Sequence, residues 1–159
     1  LLNKLFDLNL FSKRLFCYAE ELGSDCPFFL INKFSYVSGV GNIVQPVEFN
    51  LKGYYIVVIK PELSVSTSNI FNEFKSPVHN QPFNFDIYNW NKELPNLNND
   101  LESVTFLKHP QLKDIKNFLY SIGAEYASMS GSGSSIYGLF KQKPNLKKES
   151  FDWLWEGCF

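Results

Sequence analysis

Tyr126-Ala127-Ser128-Met129-Ser130-Gly131-Ser132-Gly133-Ser134-Ser135-Ile136-Tyr137-Gly138-Leu139-Phe140 is the stretch on which the fold turns. Tyr126 to Met129 and Ile136 to Phe140 are short, β-favouring runs, and the glycines and serines between them break both. Two strands joined by a glycine-serine loop are predicted. Upstream, Pro110 opens a helix whose Leu112, Ile115, Leu119 and Ile122 recur at helical spacing, and Gly123 stops it. Another helix is expected over Asp100 to Lys108. Tyr54 to Ile59 is an uninterrupted apolar run that reads as a central strand, ended by Pro61. Thr67 or Ser68 then caps a short helix carrying Ile70, Phe71 and Phe74. Downstream, Phe151, Trp153 and Trp155 alternate, which favours a closing strand. Strand, helices, strand, strand, strand describes an α+β sandwich with helices on one sheet face.

Ahead of this block, Ser12 is an N-cap for a helix from Lys13 to Leu22, with Leu15, Phe16, Ala19 and Leu22 on one face and Gly23 at its stop. Asp25 therefore falls just past a helix C-terminus, where Pro27 bars continuation. Phe28 to Ile31 and Phe34 to Val37 read as short strands separated by Asn32-Lys33. Gly39-Val40-Gly41-Asn42 is a turn before a strand from Ile43 to Val47. Residues 75–98 are rich in Asn and Pro and show no sustained period, as expected of a long loop.

Of the 159 residues, 45% are hydrophobic and 17% aromatic, which makes a packed core feasible and global disorder unexpected. A net charge of −1 with dispersed basic residues is not the footprint of a nucleic-acid binder. No apolar run approaches the roughly 20 residues that span a bilayer, and no signal-peptide layout opens the chain. Leu1 in place of Met points to a piece that begins inside a longer protein. Cys17, Cys26 and Cys158 lack CxxC spacing and read as reduced, mostly buried thiols of a cytoplasmic protein. His79 and His109 lie far apart in sequence and show no metal-ligand spacing.

Three segments carry chemistry. Asp25, in Leu22-Gly23-Ser24-Asp25-Cys26-Pro27, can accept the proton of an attacking hydroxyl in phosphoryl transfer. On these six residues alone, a turn residue bonding nearby amides is the simpler account. Ser130-Gly131-Ser132-Gly133-Ser134 can converge its amides into an anion-binding nest, or be a plain hairpin loop; it lacks the Gly-Lys-Ser/Thr of a P-loop. The helix after Pro61 offers an N-terminus to a phosphate and Phe71 as a flat apolar face, although core packing is the commoner role of Phe71. Asn99-Asp100-Leu101-Glu102 is explained by a helix cap and an acidic first turn.

Leu22-Gly23-Ser24-Asp25-Cys26-Pro27-Phe28-Phe29, Gly39-Val40-Gly41, Pro61…Thr67…Phe71, Asn99-Asp100-Leu101-Glu102 and Met129 through Ser135 occur in an order that resembles the 4-diphosphocytidyl-2-C-methyl-D-erythritol kinases of the GHMP kinase superfamily. The resemblance implies transfer of the ATP γ-phosphate to the 2-hydroxyl of a cytidyl-diphosphate substrate in non-mevalonate isoprenoid synthesis, with Mg²⁺ as the expected cation. It implies Asp25 as catalytic base. Phe71 would stack on cytosine, with Thr67 and Ser68 in the adjoining substrate segment, where the family often has Pro at Ser68. Ser130, Gly131, Ser132, Gly133 and Ser134 would face the phosphates. A catalytic lysine, a Gly-Gly-Gly-Ser-Ser loop and the second aromatic of the cytosine sandwich all lie upstream of Leu1 in the family. The chain alone is therefore expected to be inactive or nearly so, and its N-terminal part to expose apolar surface unless it pairs with another chain or with the missing segment. On this view residues 1–52 are the remainder of the N-terminal lobe, and residues 53–159 a ferredoxin-like C-terminal lobe.

Two other readings compete. One is another kinase of the superfamily, of homoserine or mevalonate type. The other is a non-catalytic ligand-binding module, since sandwiches of this kind also serve as regulatory domains.

Overall fold

The computed structural model describes residues 2–48, 50–75, 97–146 and 154–159, without the side chain of Leu154. The chain divides into two compact units, Leu1–Phe49 and Asn50–Phe159.

The first unit holds α1 (Leu2–Leu5), α2 (Ser12–Leu22), α3 (Cys26–Ile31) and an antiparallel hairpin of β1 (Ser35–Ser38) and β2 (Ile43–Pro46). In α2, Ala19 is buried and Leu15 and Phe16 are half-buried, as the helical spacing predicts, but Leu22 is 83% exposed. Phe11 occupies the N-cap position with no side-chain bond, so Ser12 is inside the helix instead of capping it. The larger correction is at Phe28 to Ile31, which form a helix and not a strand. A four-residue apolar run fits either state by pattern alone. Pro27 decides it: with φ already fixed and no N–H to lose, it favours the first turn of a new helix. Pro27 is fully buried, and Asn32 ends α3 in the left-handed conformation.

The second unit runs β3 (Tyr55–Ile59), α4 (Thr67–Glu73), α5 (Glu102–Lys108), α6 (Pro110–Ser121), β4 (Tyr126–Met129), β5 (Ile136–Phe140) and β6 (Leu154–Cys158). The strands form one sheet in the order β4-β5-β3-β6, every neighbour antiparallel. Side chains alternate along a strand, so Val57 and Ile59, Ala127 and Met129, and Ile136 and Phe140 share one face. They pack there with Leu112 and Leu119 of α6 and with Ala124. Each of the Val, Ile, Leu, Met and Phe side chains among them contributes roughly 1.5–3 kcal/mol on burial. Gly138 lets the helix close on the sheet: a Cβ at that position would lie 3.4 Å from Leu119 and from Ala124 and 3.1 Å from the Phe140 ring. The α+β sandwich expected from the sequence is the one that forms.

Strand β4 lies at the sheet edge, where unpaired backbone groups invite association unless covered. Three side chains cover it. The Tyr120 hydroxyl donates to Ala127 O (3.2 Å), Met129 N donates to Glu102 Oε1 (2.8 Å), and Asn99 Nδ2 donates to Met129 O (2.8 Å). The closing strand begins at Leu154; Phe151 and Trp153 of the expected alternation lie outside the described residues, as do His79 and most of the Asn/Pro-rich segment. The cysteines correct another expectation. Cys17 and Cys158 are exposed and Cys26 is half-buried, all three free, because Cys17 falls on the outer face of α2 and Cys158 at the end of an edge strand.

Candidate functional site

In the second unit, the β4–β5 loop meets the start of α4. Ser66 is the N-cap of α4, in place of the expected Thr67 or Ser68: its hydroxyl accepts from Asn69 N at 3.4 Å and lies 3.1 Å from the Ser68 hydroxyl. That frees Thr67, whose Oγ1 lies 2.8 Å from Ser132 Oγ. Ser134 Oγ donates to Leu63 O at 2.8 Å, a second tie between the loop and the segment before α4. Thr67 and Ser132, 65 positions apart, are thus in direct contact.

Ile70 and Phe71 are neighbours in α4 and point about 100° apart around the helix. Ile70 is 1% exposed and anchors the helix, while Phe71 is 58% exposed. Core packing, the commoner role for such a residue, is overturned for Phe71. It leaves an aromatic face in solvent on the helix that holds the loop.

The loop itself is pinned from beneath. Asn99 Nδ2 donates to Met129 O at 2.8 Å and to Gly131 O at 2.7 Å, and Thr105 Oγ1 donates to Ser132 O at 3.4 Å. Ser132 and Ser134 are buried, and Gly133 carries φ +96°, where a Cβ would also press on Met129 Sδ at 2.9 Å. The N–H groups of Gly131, Ser132 and Ser134 have no partner among the described residues. Sequence reasoning missed Asn99, which looked like a plain cap. Its Oδ1 does accept from Leu101 N (3.0 Å), but its amide nitrogen serves the loop. Glu102 likewise does more than place an acidic group in the first turn of the helix. Its carboxylate bonds Met129 N and Ser128 Oγ and pairs with Lys116, both side chains largely buried. Nearby, burial raises the Tyr137 hydroxyl far above its ordinary value, reinforced by Tyr126.

Asp25 belongs to the first unit. Past the end of α2 it stands at the N-cap position of α3 with no side-chain cap bond, and it is exposed. It therefore sits at the helix end that favours a carboxylate as well as after one that does not, a correction to the sequence reading that follows from α3 being a helix. The β1–β2 turn passes directly over it. Gly41 has φ +104°, and a Cβ there would collide with Asp25 Oδ1. Glycine at 41 is what lets the turn approach the carboxylate. Among the described residues no three or more His, Cys, Asp or Glu are grouped to hold a metal, and no helix is long and apolar enough to cross a membrane.

Residues 84–151 match the family model described as GHMP kinases C terminal. The chain is 42% identical over 153 residues to a 4-diphosphocytidyl-2-C-methyl-D-erythritol kinase of Bacteroides fragilis, an alignment covering 96% of this chain and 56% of that one. It is 44% identical over 158 residues to the protein of the same name from Bacteroides thetaiotaomicron, with the same two coverages. The chain thus spans about half the length of the curated relatives it matches. Among solved structures it is similar to a 4-(cytidine 5'-diphospho)-2C-methyl-D-erythritol kinase, at a TM-score of 0.69 and 27% identity, over 87% of this chain and 51% of that one.

Proposed function

From the premise that this chain carries a GHMP kinase C-terminal domain, we propose that it supplies the substrate side of an ATP-dependent kinase acting on 4-diphosphocytidyl-2-C-methyl-D-erythritol. Asp25 accepts the proton of the 2-hydroxyl as that oxygen bonds to the γ-phosphorus, and ADP leaves with the electrons of the broken P–O bond. Phe71 stacks on the cytosine, with Thr67 and Ser68 beside it. The loop from Ser130 to Ser134 receives phosphate through the N–H groups of Gly131, Ser132 and Ser134, which have no partner among the described residues. Mg²⁺ entering with ATP would supply charge neutralisation at the transferred group; among the described residues no cluster of three or more His, Cys, Asp or Glu is placed to hold it.

One observation carries the proposal: the 2.8 Å hydrogen bond between Thr67 and Ser132, which holds the helix displaying Phe71 against the loop. The relatives at 42% and 44% identity bear the name of this kinase, which favours it over a homoserine or mevalonate type. Because the chain covers 56% of those relatives, full turnover is assigned to the longer assembly and not to these residues alone.

The test is phosphoryl transfer from labelled ATP by the chain joined to the N-terminal residues of the Bacteroides fragilis relative, run beside the chain alone. The joined protein should label the cytidyl substrate and the chain alone should not. Rapid turnover by the chain alone sinks the division of the site. Labelling of homoserine in preference to the cytidyl substrate sinks the choice of substrate.

A further inference from the structure

We infer that Asn99 is the positioning residue of the glycine-serine loop: its side-chain amide turns the Ser132 N–H outward, toward an incoming anion. The inference rests on the loop's role proposed above and assigns a residue that motif spacing leaves as a helix cap.

The geometry is specific. Asn99 Oδ1 is fixed by Leu101 N at 3.0 Å, which settles which end of the amide faces the loop. The two hydrogens on Nδ2 then go to Met129 O at 2.8 Å and Gly131 O at 2.7 Å, on alternate residues. In a trans peptide the carbonyl and the following N–H point in opposite directions. Drawing the Gly131 carbonyl toward Asn99 therefore sends the Ser132 N–H to the other side, where it has no partner among the described residues. Without that clamp the peptide is free to rotate, presenting to a phosphate either the N–H or a repelling carbonyl oxygen. Thr105 Oγ1, which donates to Ser132 O, restrains the next peptide in the same sense at a longer 3.4 Å.

Asn99→Asp is the sharpest probe, because it replaces two donors by lone pairs facing two carbonyl oxygens at nearly unchanged volume. Asn99→Ala removes the donors without adding charge. Tyr120→Phe is the stability control: it removes one bond from the same edge strand, to Ala127 O, well along β4 from the loop. The experiment titrates inorganic pyrophosphate into the isotopically labelled chain joined to the N-terminal residues of the Bacteroides fragilis relative, and follows the backbone amide resonances of Gly131 and Ser132. Wild type and Tyr120→Phe should show saturable shifts with the same dissociation constant. Both Asn99 variants should bind about five- to tenfold more weakly, the range expected for losing one or two such bonds. Resonances of Leu112 and Leu119 report folding in the same spectra, and Asn99→Ala carries the test if the aspartate variant unfolds. Unchanged affinity in Asn99→Ala overturns the clamp, even if Asn99→Asp is weakened, since charge alone then accounts for the latter. An absence of shifts in wild type removes the phosphate loop itself, and with it this role for Asn99.

Discussion

At the scale of single residues, Asp25 and Gly41 form a pair that neither sequence position announces alone. Asp25 is exposed and makes no cap hydrogen bond, so Asp25→Asn should change stability by less than about 0.5 kcal/mol. If the carboxylate takes the proton of the attacking hydroxyl, the same change should slow phosphoryl transfer in the joined protein by roughly 10²- to 10⁴-fold. Unchanged turnover would make Asp25 a turn residue and nothing more. Gly41→Ala should cost about 1–2 kcal/mol from its positive φ alone. It should cost more while Asp25 is present, because the new methyl collides with Oδ1. Urea denaturation of Asp25→Ala, of Gly41→Ala and of the double variant that combines them checks this. The pair should be coupled by at least about 0.5 kcal/mol, whereas additive costs would show that the carboxylate moves aside freely.

Among the elements, the edge strand β4 shows how much the helices beneath it contribute. Glu102 joins Met129 N, Ser128 and Lys116 with side chains only 12% and 18% exposed at the ion pair. Glu102→Ala leaves a largely buried ammonium and a strand N–H without partners, and should destabilise by about 2–3 kcal/mol. Glu73, paired with Lys108 at 53% and 35% exposure, gives a matched contrast: Glu73→Ala should stay within about 1 kcal/mol. Equal shifts in denaturation midpoint for the two variants would contradict the role given to burial. What could be read beforehand follows the same division. Leu112 and Leu119 repeat at helical spacing, so α6 was legible as periodicity, and β3 was legible as an uninterrupted run of β-favouring apolar residues. Phe28 to Ile31 were not, because a short apolar run satisfies either period and only the placement of Pro27 tips it. The loop and the α4 segment were legible as motifs. Their contact through Thr67 and Ser132 was not, and neither was the clamp by Asn99, which acts on carbonyls about 30 positions downstream. Long-range hydrogen bonds leave no local pattern in a sequence.

For the molecule as a whole, the two units differ in how well they close. The second buries a continuous cluster around Val57, Leu112, Leu119 and Phe140, whereas in the first only Ala19 and Pro27 are fully enclosed among the described residues. Most of the exposed large apolar side chains among the described residues belong to residues 2–48, among them Leu2, Phe6, Phe11, Leu22, Phe29 and Val40. Burying any one of these would gain roughly 1.5–3 kcal/mol, and side chains left out in such number favour association. The 159-residue chain on its own is therefore expected to self-associate at tens of micromolar, the range in which exposed apolar surface drives aggregation, and to brighten a dye that binds such surface. Joining the N-terminal residues of the Bacteroides fragilis relative should suppress both effects, since the chain covers only 56% of that protein. Sedimentation velocity on the two proteins at matched concentration decides it. A monomeric chain with no dye response would mean that the first unit closes on itself in solution. The half-site division would then rest on catalysis alone. Association that persists after joining, but is relieved by Trp155→Ser, would move the sticky surface to the β6 edge, where Trp155 is 48% exposed. Association relieved instead by Phe11→Ser with Phe29→Ser keeps it in the first unit, and ties the behaviour of the whole chain to the unit that carries Asp25.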